Sequence, residues 1–117
     1  MKKDVLGVKV DDISIDQATG AVMKWLEGSS KHYIVTTNPE FIVKAQDDPH
    51  FKEILNKADL SIPDGIGLKL AGVKNTVSGT DLMEKLIKKA DEKGFVIGFL
   101  GGKDGVAERL AERLRQR

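Results

Sequence analysis

The sequence predicts an α/β fold built on a mostly parallel sheet, and three observations carry that prediction. Short β-rich runs alternate with segments whose apolar residues recur at helical spacing. Several of those runs end in proline, glycine or small polar residues. Residues 95–100, Phe-Val-Ile-Gly-Phe-Leu, form an uninterrupted apolar run suited to a central strand buried on both faces.

Taken in order, residues 5–10 are a short apolar stretch that ends at Asp11-Asp12 and reads as the first strand. Ser14-Ile15-Asp16-Gln17 has the Ser-x-x-Gln form of a capping box, so a helix begins there. Ile15, Ala18, Val22, Trp25 and Leu26 continue it until Gly28-Ser29-Ser30. Tyr33-Ile34-Val35 is the next strand, closed by Thr36-Thr37-Asn38 and Pro39. Two short helices in tandem follow, the second opening at Asp48-Pro49. Asp59-Leu60-Ser61-Ile62 is a brief strand running into Pro63-Asp64-Gly65-Ile66-Gly67, followed by a short helix near 68–71. Gly79-Thr80-Asp81 starts a helix whose apolar face is Leu82, Met83, Leu86, Ile87 and Ala90. After the run at 95–100, Gly101-Gly102-Lys103-Asp104-Gly105 leads into a stripe of Val106, Ala107, Leu110, Ala111 and Leu114. Strands alternating with helices at this spacing imply right-handed βαβ units, hence a Rossmann-like sheet with helices on both faces, in a single domain over 1–117. The helical pattern is still running at Arg117, which predicts a shortened chain with an uncovered apolar face and self-association into a homo-oligomer.

Composition narrows the function classes. The 117 residues suffice for one core, and 40% hydrophobic with 32% charged residues describes a soluble globular chain. Lys and Arg number 19 against 18 Asp and Glu, a net charge of +1 that supplies no field for nucleic acid. Cysteine is absent, so disulfides and thiolate chemistry are excluded. His32 and His50 lack ligand spacing, which predicts no metal centre. The first residues do not form a secretion signal, and no stretch approaches the about 20 apolar residues of a spanning helix.

In open parallel sheets ligands gather at the carboxyl ends of strands. Three such ends are expected along one edge: Thr36-Thr37-Asn38, able to bond hydroxyl-rich ligands; Pro63-Asp64-Gly65, offering a base; and Gly101-Gly102-Lys103, offering bare amides to a phosphate. Each also has a plainer reading. Pro-Asp-Gly is ordinary turn chemistry, although Asp64 beside Gly65 and Gly67 could approach a sugar hydroxyl, with the glycines leaving room for it. Thr36, Thr37 and Asn38 can cap the helix ahead of Pro39, and Glu40 suits its first turn. The glycine-rich turn at 101–105 can bind nothing; it matches neither the Walker pattern nor Gly-x-Gly-x-x-Gly, which argues against a dinucleotide-binding oxidoreductase. The Arg and Glu residues of the last helix read as a solvated face.

Four segments, 34–40 (Ile-Val-Thr-Thr-Asn-Pro-Glu), 58–67 (Ala-Asp-Leu-Ser-Ile-Pro-Asp-Gly-Ile-Gly), 77–82 (Val-Ser-Gly-Thr-Asp-Leu) and 99–103 (Phe-Leu-Gly-Gly-Lys), are together more specific than any one. In order and spacing they resemble the WecG/TagA/CpsF glycosyltransferase family over almost the whole chain. The resemblance implies a metal-independent inverting transferase that needs no cofactor. Its donor would be UDP-N-acetylmannosamine or a related UDP-amino sugar, and its acceptor undecaprenyl-diphosphate-linked N-acetylglucosamine, in wall teichoic acid and related surface glycan synthesis. It further implies a cytoplasmic protein peripheral to the inner face of the cell membrane, with the membrane contact made by sequence beyond this chain. The family's threonine and asparagine fall on Thr36 and Asn38 and its base on Asp64, while Gly65, Gly101 and Gly102 complete the expected substrate contacts. Members of the family are longer, and their active-site arginine is replaced here by Thr76. The alternative reading is therefore a shortened, non-catalytic α/β module that binds nucleotide weakly or associates with itself.

Overall fold

The computed structural model describes residues 2–116. It divides the chain into two compact units, Met1–Leu86 and Ile87–Arg117. The first opens with an antiparallel hairpin of β1 (Lys2–Val5) and β2 (Val8–Asp11), in which Val5 pairs with Val8. Residues 5–10 were expected as one strand. Leu6 and Gly7, both at positive φ (51° and 84°), instead form the two-residue reversal whose twist suits a hairpin. Helix α1 (Ile15–Leu26) carries the predicted capping box: the Gln17 N–H donates to Ser14 Oγ (3.2 Å) and the Ser14 N–H to Gln17 Oε1 (2.9 Å).

Strands β3 (Ile34–Thr37) and β4 (Leu60–Pro63) pair in parallel, with Ile34 opposite Leu60 and Thr37 opposite Pro63. The crossover between them holds α2 (Pro39–Asp47), capped by Asn38, and α3 (Pro49–Lys57), capped by Asp48. In each helix a proline stands at the first turn, where its missing N–H leaves no bond unmade. Alternation along the pair sends side chains to two cores. Val35 packs with Val5, Val8 and Val10 of the hairpin, Ile42 and Ala45 of α2 and Leu55 of α3. Ile34, Leu60 and Ile62 pack on the opposite face with Ala18 and Trp25 of α1 and with Leu82 and Leu86 of α4, a helix spanning Gly79–Lys93. Helices thus cover both faces of the parallel pair, as the sequence predicts. The sheet is smaller than predicted: among the described residues it consists of one parallel pair and one antiparallel pair, not a continuous Rossmann-like sheet. Although β2 lies beside β4, the Asp11 carboxylate takes the Ser61 N–H (2.7 Å) in place of a ladder bond.

The second unit contains the end of α4 and helix α5 (Val106–Arg115). Helix α4 stops at Gly94 (φ 77°), where the Phe95 N–H donates to Ala90 O (2.9 Å), a closure that caps the last carbonyls. Residues 95–100, predicted as the central strand, are not a strand: Val96 and Leu100 are fully exposed and no ladder forms. Apolar character suits a segment to burial, but a strand exists only where a neighbour accepts its amides and carbonyls.

Candidate active site

The site is built where β3 and β4 end level with each other. Beyond the Thr37–Pro63 pair, the Asp64 N–H donates to Thr37 O (2.9 Å), carrying the parallel pairing one residue past the strand. Asn38 and Asp64 therefore leave the sheet at the same end, and Thr36 stands one turn of the pleat behind them. Thr36, Asn38 and Asp64 are all half-buried, open enough to meet a ligand. Thr37, by contrast, is fully buried with its hydroxyl 2.6 Å from that of Ser61, so it is a structural residue.

Asp64 is held through one oxygen. The N–H of Gly79, first residue of α4, donates to Asp64 Oδ2 at 3.3 Å. Among the described residues the side-chain hydrogen bonds of Asp64 are confined to Oδ2, which leaves Oδ1 to a ligand. Asn38 Oδ1 accepts the Phe41 N–H (2.9 Å) as the cap of α2. That bond confirms the capping role, and it leaves the Asn38 amide nitrogen as a donor at the rim.

The glycines around Asp64 do not open space for a substrate, as the sequence suggested. Gly65 has φ 113°, a conformation that side chains resist, and a Cβ there would stand 3.2 Å from Pro39 Cδ. A Cβ on Gly67 would stand 2.9 Å from Pro39 Cγ. The Pro39 ring fills the space, so these glycines let α2 close onto the turn after β4. Gly79, which the sequence marks only as a helix start, belongs to the site. A Cβ there would meet Thr36 Cγ2 at 3.0 Å and Asp64 Oδ2 at 3.2 Å, so only glycine lets α4 come this close to the carboxylate. Its signal was present in the Val77-Ser78-Gly79-Thr80-Asp81-Leu82 segment.

The segment leading to Gly79 is pinned by Asp12, which accepts the N–H groups of Lys74 (3.0 Å) and Asn75 (2.8 Å) and the Asn75 side-chain amide (2.9 Å). Those backbone donors, Lys74 first, hold the Asp12 carboxyl below its ordinary range. The Val77 N–H donates to Pro63 O (2.8 Å), and Lys85 of α4 pairs with Asp16 of α1. Thr76 is exposed.

Gly101 and Gly102 lie in the second unit, both exposed and both at positive φ (110° and 76°). Because 95–100 is not a strand, they are not the strand-end cradle that was predicted. They precede α5, whose first turn has no side-chain cap.

At the amino end of the pair, Asp59 accepts the Tyr33 N–H (2.9 Å) through Oδ2 and lies 3.1 Å from His32 Nδ1 through Oδ1. These partners, the Tyr33 amide foremost, hold its carboxyl below the usual range. Trp25 stacks on His32 with ring centroids 4.4 Å apart, beside an open apolar cavity of about 310 Å³. Among the described residues, no three His, Asp or Glu side chains group as metal ligands, and no helix is long and apolar enough to cross a membrane.

Fold and site together define an α/β protein that presents a carboxylate and polar side chains at the carboxyl ends of paired parallel strands, the usual ligand edge of such folds. The chain belongs to the glycosyl transferase WecG/TagA/CpsF family, which it matches over residues 3–117. A relative from Bacillus spizizenii, named N-acetylglucosaminyldiphosphoundecaprenol N-acetyl-beta-D-mannosaminyltransferase, is 37% identical over 75 residues, 59% of this chain and 29% of the relative. A Staphylococcus aureus protein of the same name is 28% identical over 108 residues, 83% of this chain and 42% of the relative. The chain thus aligns with less than half the length of the curated relatives it matches.

Proposed function

We propose that this chain carries the acceptor-activating part of an inverting N-acetylmannosaminyltransferase, with Asp64 as its base. The donor is UDP-N-acetylmannosamine or a related UDP-amino sugar, and the acceptor is N-acetylglucosamine linked to undecaprenyl diphosphate, at the cytoplasmic face of the membrane. Asp64 Oδ1 takes the proton of the acceptor hydroxyl as that oxygen bonds to the anomeric carbon. The anomeric bond to UDP breaks on the opposite side, and UDP leaves with the electron pair. Thr36 and the Asn38 amide bind sugar hydroxyls, with Gly65 shaping the turn beside them. The scheme calls on neither metal nor cofactor. The β3–β4 unit is read as part of a Rossmann-like sheet.

The observation that supports this reading most is the level ending of β3 and β4, with Asn38 and Asp64 at one rim and Asp64 Oδ1 open. The test is transfer from UDP-N-acetylmannosamine to the lipid-linked acceptor. Asp64→Asn is expected to lower kcat by about 10²- to 10⁴-fold while UDP still binds; wild-type turnover in that variant defeats the assignment.

One observation favours a second reading, a self-associating module: Val96 and Leu100 are fully exposed, and Phe95 and Ile97 partly so. Turnover separates the two, since the module reading requires homo-oligomers, seen by sedimentation, that transfer no sugar.

A further inference from the structure

We infer that Gly79 is a positioning residue for the proposed base: the bare first turn of α4 locks Asp64 through Oδ2 and so aims Oδ1 at the acceptor hydroxyl. The inference rests on the reading of Asp64 as base but adds to it a residue that touches no substrate.

Three observations converge on Gly79. First, the leading N–H groups of a helix have no acceptor within the helix, so the Gly79 amide needs an outside partner, and Asp64 Oδ2 at 3.3 Å is that partner. The Leu82 N–H, by contrast, has the Ser78 carbonyl (3.0 Å). Second, the approach is possible only without a side chain at position 79. A Cβ would press at 3.0 Å on Thr36 Cγ2, which belongs to a β-branched side chain with little freedom, and at 3.2 Å on Asp64 Oδ2, which can swing away. Either α4 backs away from Thr36 or the carboxylate swings aside, and both lengthen the Gly79–Asp64 bond. Third, the approach is braced from outside the site: Asp12, just after β2, grips the amides of Lys74 and Asn75 in the segment ahead of α4, and Lys85 of α4 pairs with Asp16 of α1. At 3.3 Å the bond is long, as catalytic hydrogen bonds often are before substrate arrives.

Amide exchange tests the lock directly, with no need for turnover. The amide at position 79 is expected to exchange roughly tenfold slower in the wild type than in Asp64→Ala, because among the described residues Asp64 Oδ2 is its acceptor. Equal exchange in the two overturns the inference. Turnover supplies the second test through Gly79→Ala. The contacts its Cβ makes with Thr36 and Asp64 work against the helix propensity alanine gains, so urea unfolding is measured beside turnover and kcat is compared at equal folded protein. On that basis kcat should fall by about tenfold to a hundredfold with KM unchanged, the signature of a misaimed base. Full kcat in Gly79→Ala, with Asp64→Asn inactive, overturns the positioning role and leaves Asp64 as base. Full kcat in both removes the base and the positioning role together.

Discussion

Strand β4 has an aspartate just outside each end, and the two are used in opposite ways. At the amino end, Asp59 commits both oxygens: Oδ2 takes the Tyr33 N–H and Oδ1 the His32 ring. At the carboxyl end, among the described residues, Asp64 receives one long side-chain bond, from Gly79 on Oδ2. One carboxylate is a brace tying the starts of β3 and β4; the other is held by one oxygen and open at the other. The residue type is the same, and what separates a brace from a candidate base is how many protein donors reach it.

The largest expected effect removes the strand on which both depend. Ile62 is fully buried between α1 and α4, and Ile62→Ala should cost about 2–5 kcal/mol of stability, measured by urea unfolding. A smaller loss would mean that the two ends do not share one support. The next effect separates the ends by pH. Asp59 and Asp12 both have carboxyls held below the ordinary value of 3.8, so each favours the folded state above that value. The contribution is lost as pH falls through the lower value of the folded protein, because the folded state then has to take up protons that the unfolded chain already holds. Stability should therefore drop on acidification below about pH 4. Asp59→Ala should make that drop shallower while leaving transfer by the carboxyl end intact; a drop of unchanged steepness would deny Asp59 its role as a brace. The smallest effect belongs to neither end. Leu6 is exposed and has φ 51°, which costs a leucine about 1 kcal/mol and suits asparagine better, so Leu6→Asn should raise the unfolding midpoint slightly with no change in turnover.

Much of this was legible in the sequence, for local reasons. The Ser14–Gln17 box, the Asn38 and Asp48 caps and the prolines behind them announce three helix starts through bonds that span three residues. The runs at Ile34–Thr37 and Leu60–Pro63 have β-forming residues bounded by breakers, and both are strands. The run at 95–100 is longer and more apolar than either, yet it is not one, since hydrophobicity is a property of the segment and pairing a property of its neighbours. The split of residues 5–10 into a hairpin was missed because Leu6-Gly7 lacks the usual Asn-Gly signal.

For the site, residue types could be read and distances could not. The sequence by itself determined which groups stand at the strand ends, Thr36, Asn38 and Asp64, and their membership in a transferase family, because motif order and turn chemistry are written along the chain. Only the tertiary structure decided that β3 and β4 end in register, that Pro39 rather than open space faces Gly65 and Gly67, and that the amide of Gly79 reaches Asp64 across fifteen residues of chain. Those facts depend on close approach between segments far apart in sequence, and such approach is set by packing on both faces of the strand pair, not by any local pattern.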